Sequence, residues 1–515
     1  MKDNQTCYDV CIIGAGPAGL ASLSAVHEPY SIDNLNAVQV NRAGRSLNLH
    51  KRLKVCVIDV HDTWLYSWQK NFEALDIKFL RSPALAHPNL FDKNELLAYA
   101  VANGRTDELL DSGCIDGIKL RAMGQSQTSL WKLPSTPLFV DFCKDLAKSL
   151  PHDFIQGSIT DIANSSASLG SPFRLELDGG QHVLSAKAVI LATGPTGRSS
   201  IPPGLKSVPP DRGQLMLSWT ELDQVHPKSN RILVVGGGLT AVQVALKLCK
   251  LGKTCILCSR RHLVERHFDI GLEWFELRTA NKCMSDFYYQ NVSDRLTASK
   301  AVRGGGSVPP LYMREVERAE RSGRLIRVIG EATYEGLHED EGQVHVTVTN
   351  SKKGEKRIVV DQVVVACGLD PDCEKSPVVK SALKSWPIPV YGGLPSITED
   401  LRWKESLPLY VVGGLGALNV GPDAGNLMGI RRAAQLVANE LDCRCWLREE
   451  VLTNPFDAFN MGYSSSEDES DDDSNGDSGL EAAHPCTRTK CANAFDKMQG
   501  SLTAALAADP DCNTF

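Results

Sequence analysis

The sequence predicts an α/β fold made of two strand–turn–helix units of one kind, the second inserted in the first, with an acidic tail behind them. Three observations carry that expectation. An apolar run leads into a glycine-rich turn and a helix at residues 8–27. The same succession returns about 220 residues later, from Arg231 onward. Between them lies a Pro/Gly/Ser-rich passage, Pro195 to Gly213, of the composition that connects domains. A strand feeding a glycine turn and a helix is the building block of parallel sheets, and its repetition argues for two of them.

In chain order, Tyr8 to Ile13 reads as a strand, Gly14-Ala15-Gly16-Pro17-Ala18-Gly19-Leu20 as its turn, and a small-residue helix runs to about His27. The polar stretch from Glu28 to about Arg52 reads as an insertion ahead of the second strand, Lys54 to Asp59. Helix and loop follow to about Leu150, and Phe173 to Leu184 alternates as antiparallel strands do around a Gly179-Gly180 turn. Ala188 to Gly194 is a buried strand. The second unit opens at Arg231 and has its second strand at Thr254 to Cys258. Alternating strands return near Val344 to Thr349, and Val359 to Gly368 makes another buried strand. Leu409 to Gly414 reads as a strand and Asp423 to Leu441 as a helix. The expected boundaries are therefore 1–215 for the first part of one domain, 216–330 for the inserted domain, 331–442 for the return, and 443–515 for a tail. That tail is polar and low in complexity, a composition that favours disorder.

At 515 residues the chain is long enough for two or more domains. Its formal charge is −7, but Ser464 to Gly479 holds seven acids and no base. Removing those seven from the 62 acids leaves as many as the 55 bases, so the body is neutral and offers no general surface for nucleic acid or anionic membrane. No apolar stretch approaches the ~20 residues of a membrane span. The 16 cysteines scatter along a chain without a secretory pattern at its start, which favours a reducing, cytoplasmic setting. The sequons at Asn164 and Asn291 are then expected to be unused.

Gly14, Gly16 and Gly19 have the G-x-G-x-x-G spacing that a dinucleotide site requires. One glycine makes the tight turn, one lets the backbone approach a pyrophosphate, and one packs helix on strand. Asp59 ends the second strand, where an acid binds the adenosine ribose; it stands 45 residues past Gly14, a gap the insertion explains. The bland alternative is a glycine turn in an unrelated α/β protein. Gly236, Gly238 and Ala241 repeat the spacing, with Leu239 and Thr240 opening the helix. Thr240 has a hydroxyl for a phosphate or a helix cap. Here the paired strand ends not in an acid but in Ser259-Arg260-Arg261. Arginine accepts a 2′-phosphate through charge and forked hydrogen bonds, so NADPH is favoured over NADH. The alternative is a solvated surface pair. Two such sites in one chain point to FAD in the first and a nicotinamide dinucleotide in the second, hence two Rossmann-like dinucleotide-binding domains with the NAD(P) domain inserted in the FAD domain.

The two turns, with Ala192-Thr193-Gly194 and Ala366-Cys367-Gly368, stand in the order of two-dinucleotide flavoproteins. Within that group the chain most resembles the N-hydroxylating lysine and ornithine monooxygenases. Trp68-Gln69-Lys70-Asn71-Phe72 with Leu75 and Leu80-Arg81-Ser82-Pro83 is similar to the segment those proteins fold beside the flavin, as is Leu133-Pro134-Ser135 with Phe139 and Phe142. Gly421-Pro422-Asp423-Ala424-Gly425-Asn426-Leu427 resembles their flavin-facing helix start. The resemblance implies FAD near Trp68, Thr193, Gly194, Pro422, Asn426 and Leu427, with Lys70 and Arg81 as polar groups close to the ring. It implies hydride transfer from NADPH and a flavin hydroperoxide, formed with dioxygen, that hydroxylates a nucleophilic nitrogen or sulfur of a small molecule. Two departures stand out. Thr136 replaces the arginine those enzymes carry after Pro-Ser, and their amino-acid-binding residues have no clear counterpart. The Phe-x-Gly-x-x-x-His fingerprint of Baeyer–Villiger and flavin-containing monooxygenases is absent between Gly194 and Arg231.

The alternatives are an NAD(P)H oxidase or reductase that passes electrons to a quinone or other acceptor, and a flavin-bound regulatory protein acting through its tail. Cys255 and Cys258 form the sole C-x-x-C, yet they lie in an expected buried strand and read as structural, like Cys7 and Cys11. Cys443, Cys445, His484, Cys486 and Cys491 match no metal spacing, so no metal is expected. His262 and His267 read as cleft or surface residues. Ser464, Ser465, Ser466 and Ser470 sit among acids, a context acidophilic kinases favour, although a solubilising tail explains them equally.

Overall fold

The computed structural model describes residues 7–27, 53–90, 92–111, 131–165, 172–194, 199–208, 215–275, 277–337, 343–369 and 372–443. The polar stretch from Glu28, residues 195–198 and 209–214 of the connecting passage, and residues 444–515 of the tail, with its serines, His484, Cys445, Cys486 and Cys491, fall outside them, while Cys443 ends the last described helix.

The first unit starts with β1 (Cys7–Ile13), α1 (Pro17–His27) and β2 (Val55–Asp59). After α2 (Tyr66–Ala74) and α3 (Thr136–Ser149) come β3 (Asp153–Gln156), β4 (Ile159–Asn164), β5 (Phe173–Leu177) and β6 (His182–Leu191). β1 is flanked in parallel by β2 and β6, with Ile12 opposite Val57 on one side and Ile190 on the other. Strands covered on both faces need continuous apolar sequence, and Val10, Cys11 and Ile12 are wholly buried. β6 is one strand of ten residues, its outer half completing the antiparallel ribbon of β4 and β5. The turn before it is Asp178-Gly179-Gly180, with Asp178 as well as both glycines at positive φ.

The second unit contains β7 (Met216–Ser218), β8 (Arg231–Val235), α4 (Leu239–Lys250) and β9 (Thr254–Ser259). α5 (Val292–Arg303), α6 (Pro310–Arg321), β10 (Leu325–Ile329), the ribbon β11 (Glu331–Leu337), β12 (Val344–Asn350), β13 (Gly354–Val360), and β14 (Gln362–Val365) follow. Its sheet is wholly parallel in the order β10-β9-β8-β14-β7. The chain then returns to the first sheet with β15 (Arg402–Lys404) and β16 (Leu407–Val411), giving the order β15-β16-β6-β1-β2-β3 there. α7 (Leu427–Cys443) closes the body by packing on α1. It starts at Leu427, four residues later than the expected Asp423.

One expected boundary is corrected. The return at residue 331 comes too early, because residues 331–365 belong to the second unit. The apolar faces of β11, β12 and β13 pack on Leu233, Val235, Ile256 and Cys258, and Val363 and Val365 complete that core. The strand expected over Val359 to Gly368 is broken at Asp361, whose carboxylate accepts from the amides of Asn230 and Arg231. The connections between the units run side by side, with Ser199 bridged to Leu369 and the Ser200 amide donating to the Gly368 carbonyl.

Candidate active site

At the first turn each glycine has its own reason. Gly14 has φ +115°, and a β-carbon there would lie 2.4 Å from the Ala192 carbonyl oxygen, so the turn is pressed onto the end of β6. A β-carbon on Gly19 would lie 1.9 Å from the Gly14 carbonyl oxygen, the close helix–strand contact the motif exists to permit. At Gly16 it would meet no protein atom within 4 Å. Gly16 is thus the open face of the turn, where a phosphate would lie. Pro17 opens α1, a position with no amide to lose. Ala18 packs close to Gly413, just past β16 at φ +87°. The Asp59 carboxylate accepts from the amides of Ala15, at 2.8 Å, and His61, at 2.9 Å. It braces the turn, and each oxygen retains a lone pair. The Thr193 hydroxyl is buried without a hydrogen-bond partner among the described residues, and Gly194 beside it faces open space. An orphaned hydroxyl, an open glycine and a free turn fit a dinucleotide.

The second turn repeats the first. A β-carbon on Gly236 would lie 2.3 Å from the Ala366 carbonyl oxygen and 2.8 Å from the Ala241 β-carbon. Gly238 is the N-cap of α4, and no side chain caps the helix, Thr240 included. The first amides of α4 are left for an anion, which a helix start attracts. Ser259 is buried, and its hydroxyl donates to the Arg261 carbonyl at 2.7 Å. Arg260 and Arg261 are both exposed.

Between the units lies a pocket of about 120 Å³ lined by Arg81, Ser82, Phe268, Asp269, Phe275, Asn426 and Met428. Arg81 donates to the carbonyls of Arg266 and His267, at 2.9 and 2.7 Å, and to the carbonyl and hydroxyl of Ser307. It straps the first unit to the second. Across the pocket, Asn426 donates to Asp269 at 3.0 Å, and Arg303 at the end of α5 binds Asp269, the Pro422 carbonyl at 2.8 Å, and Asn426. Leu427, the first residue of α7, is buried. Trp131, Phe268 and Phe275 form an aromatic wall with centroids 5.1 to 6.2 Å apart. Trp68 stacks on Phe72 at 3.6 Å and leans on Phe139 at 5.4 Å. Lys70 is exposed on α2 and does not line this pocket.

These arrangements separate the expected site residues into three places: the first turn with Asp59 and Thr193, the second turn with the two arginines, and the seam with Arg81, Pro422 and Asn426. Thr136 serves the local fold, its hydroxyl donating to the Ile77 carbonyl at 2.6 Å. The C-x-x-C is split across the sheet. Cys255 faces one core and Cys258 the other, and burial pushes the Cys258 thiol up to about 12. His262 is exposed, and His267 meets Arg81 through its carbonyl. No group of three or more metal-ligating side chains comes together among the described residues, and no helix among them is long and apolar enough to cross a membrane. Sequence reasoning missed Phe268, Asp269, Phe275, Arg303 and Gly413. The available signal was the run Arg303-Gly304-Gly305-Gly306, a basic residue ahead of three glycines.

The sequence profile of the pyridine nucleotide-disulphide oxidoreductases matches residues 152–385. No curated protein matches the sequence. Among solved structures, the ornithine N-hydroxylase of Kutzneria sp. 744, determined with reduced FAD, NADP+ and L-ornithine, superposes with a TM-score of 0.62 at 16% identity, over 85% of this chain and 99% of its own. The chain has the fold of that hydroxylase. The FAD-bound cadaverine monooxygenase of Erwinia amylovora superposes at 0.61 and 13% identity, over 86% and 95% of the two chains. The ornithine hydroxylase of Pseudomonas aeruginosa, in its reduced form, does so at 0.61 and 14%, over 85% and 99%. In that fold the present chain has two glycine turns and an aromatic, strapped seam where its two units meet.

Proposed function

We propose that the chain is an FAD-dependent, NADPH-using monooxygenase that hydroxylates a nucleophilic nitrogen or sulfur of a small molecule. The observation that carries this reading is the pair of glycine turns, each pressed onto an alanine carbonyl of its own sheet, with a lined pocket between the units. FAD would lie along Gly14, Gly16, Pro17, Ala18 and Gly19, with Asp59 toward the ribose, Thr193 and Gly194 beside the phosphates or ring, and Pro422, Asn426 and Leu427 at the ring's far edge. NADPH would lie on Gly236, Gly238, Leu239, Thr240 and Ala241, with its 2′-phosphate toward Ser259, Arg260 and Arg261.

Bound flavin supplies the redox and oxygen chemistry; the chain supplies placement and shelter. Phe268, Phe275 and Met428 give the pocket an apolar wall that excludes water. The Arg81 strap and the Asp269–Arg303–Asn426 group hold the two units, and with them the two ring sites, in one arrangement. A cytoplasmic location belongs to the same reading. The solved ornithine hydroxylases and cadaverine monooxygenase of the same fold support an amine as the first substrate class to try.

The test is product coupling. Flavin-loaded protein is given NADPH, oxygen and a panel of primary amines and thioethers, and NADPH consumed is compared with hydrogen peroxide released and hydroxylated product formed. The proposal expects peroxide to fall below the NADPH consumed, with product accounting for the difference, for at least one class. Peroxide equal to NADPH throughout would point to an oxidase. Turnover with quinones instead of oxygen would point to a reductase.

A further inference from the structure

α5 ends at Arg303, and Gly304, Gly305 and Gly306 follow at φ +58°, +74° and +104°. A run of left-handed residues is backbone that glycine adopts and other residues resist. The loop does not stand clear of the fold. A β-carbon on Gly306 would lie 3.0 Å from the Cα of Gly238, and one on Gly238 would lie 3.9 Å from the Cα of Gly306. Gly238 is the counterpart of Gly16, whose same face is open. The first turn is therefore accessible where the second is covered. Arg261 holds the cover, its guanidinium donating to the carbonyls of Gly304 and, at 3.4 Å, Gly306. The neighbouring Arg260 is exposed, has no hydrogen bond or ion pair among the described residues, and acts on the Cys367 thiol only through its charge. The stem is fixed, because Arg303 is tied to Pro422, Asp269 and Asn426. Movement is then confined to the glycines.

We propose that Gly304–Gly306 is a gate over the phosphate-facing backbone of the second turn, latched by Arg261, and that Arg260 alone reads the 2′-phosphate. The inference rests on the reading of the second turn as the NADPH site. The two arginines, equivalent in sequence, thus have opposite effects on binding. Arg260 holds the nucleotide, and Arg261 must release the loop before the nucleotide can seat.

The experiment uses the full-length, flavin-loaded protein and NADP+, with association followed by stopped-flow fluorescence. Arg261→Ala is expected to speed association and tighten binding about fivefold, the worth of one or two exposed charged hydrogen bonds, while Gly306→Ala sets a β-carbon against Gly238 and loosens the loop without removing the Arg261 side chain. Arg260→Ala is expected to weaken NADP+ roughly ten- to hundredfold and leave NAD+ unchanged. Amide hydrogen exchange over residues 303–307, measured without nucleotide, is expected to quicken in Arg261→Ala and Gly306→Ala. Unchanged exchange would overturn the latch whatever the nucleotide does. NADP+ weakened tenfold by Arg261→Ala would overturn it too, making Arg261 a phosphate ligand. If exchange quickens but no variant alters NADP+ binding, the latch stands as a contact while its gating role and the NADPH reading of this turn both fail.

Discussion

At Gly19 a β-carbon would lie 1.9 Å from the Gly14 carbonyl oxygen, whereas at Gly16 it would meet nothing within 4 Å. The motif's glycines therefore part company on substitution. Gly16→Ala is expected to leave the melting temperature of flavin-free protein within a degree or two of wild type while sharply lowering flavin occupancy. Gly19→Ala is expected to lower both, with overpacking costing about 1–3 kcal/mol. Equal melting temperatures for the two flavin-free variants would contradict this assignment. His87 gives a second residue-scale expectation. Burial, with Arg431 adding like charge, lowers its pKa from 6.5 to about 3. Above pH 6.5 it is neutral folded or unfolded and has no effect. As pH falls below 6.5 the unfolded chain takes a proton that the folded one refuses, so stability drops by up to about 1.4 kcal/mol per pH unit until the folded pKa is reached. His87→Gln should flatten the fall in melting temperature between pH 6.5 and 4.5; an unaltered slope would count against it. His87 carries no sequence signature, since its burial depends on Phe142 and the α7 residue Arg431, far apart in the chain.

Among the elements, α7 depends on an ion pair at its start. Asp423 is fully buried, and Arg432, nine residues on, binds both its oxygens at 2.9 Å. Asp423→Asn leaves the guanidinium buried without its counter-charge and is expected to destabilise by about 3 kcal/mol, read by urea unfolding. Replacing both partners, Asp423→Leu with Arg432→Met, should recover most of that loss. A double variant as unstable as the single one would show that the pair is not the cause. Elements with a strong local signal were legible: β1, α1, β8 and α4 declare themselves through apolar runs, glycine spacing and small residues. The placement of β14 was not. Val363 and Val365 read as a buried strand, but which sheet they enter depends on β11 to β13 packing over Ile256 and Cys258. The pattern that could have placed it was the second Ala-x-Gly ending, since Gly14 meets the Ala192 carbonyl as Gly236 meets that of Ala366.

Over the whole molecule, two sheets carry two turns, and a seam of side chains from both units joins them. The two glycine turns and their order were readable from spacing because such a turn is built from consecutive residues. The seam was not, because Arg81, Asp269, Arg303 and Asn426 come from four separate stretches and meet only on folding. Their arrangement bears on the proposed function, in which one nucleotide is held for redox chemistry and the other delivers its hydride across the seam. The decisive measurement is anaerobic mixing of the flavin-loaded protein with NADPH, and separately with NADH, with the visible band of oxidised flavin followed in time. NADPH is expected to bleach the band in a saturable phase and NADH to do so far more weakly. Purified protein that takes up no flavin, or bound flavin that neither nucleotide reduces, would contradict it.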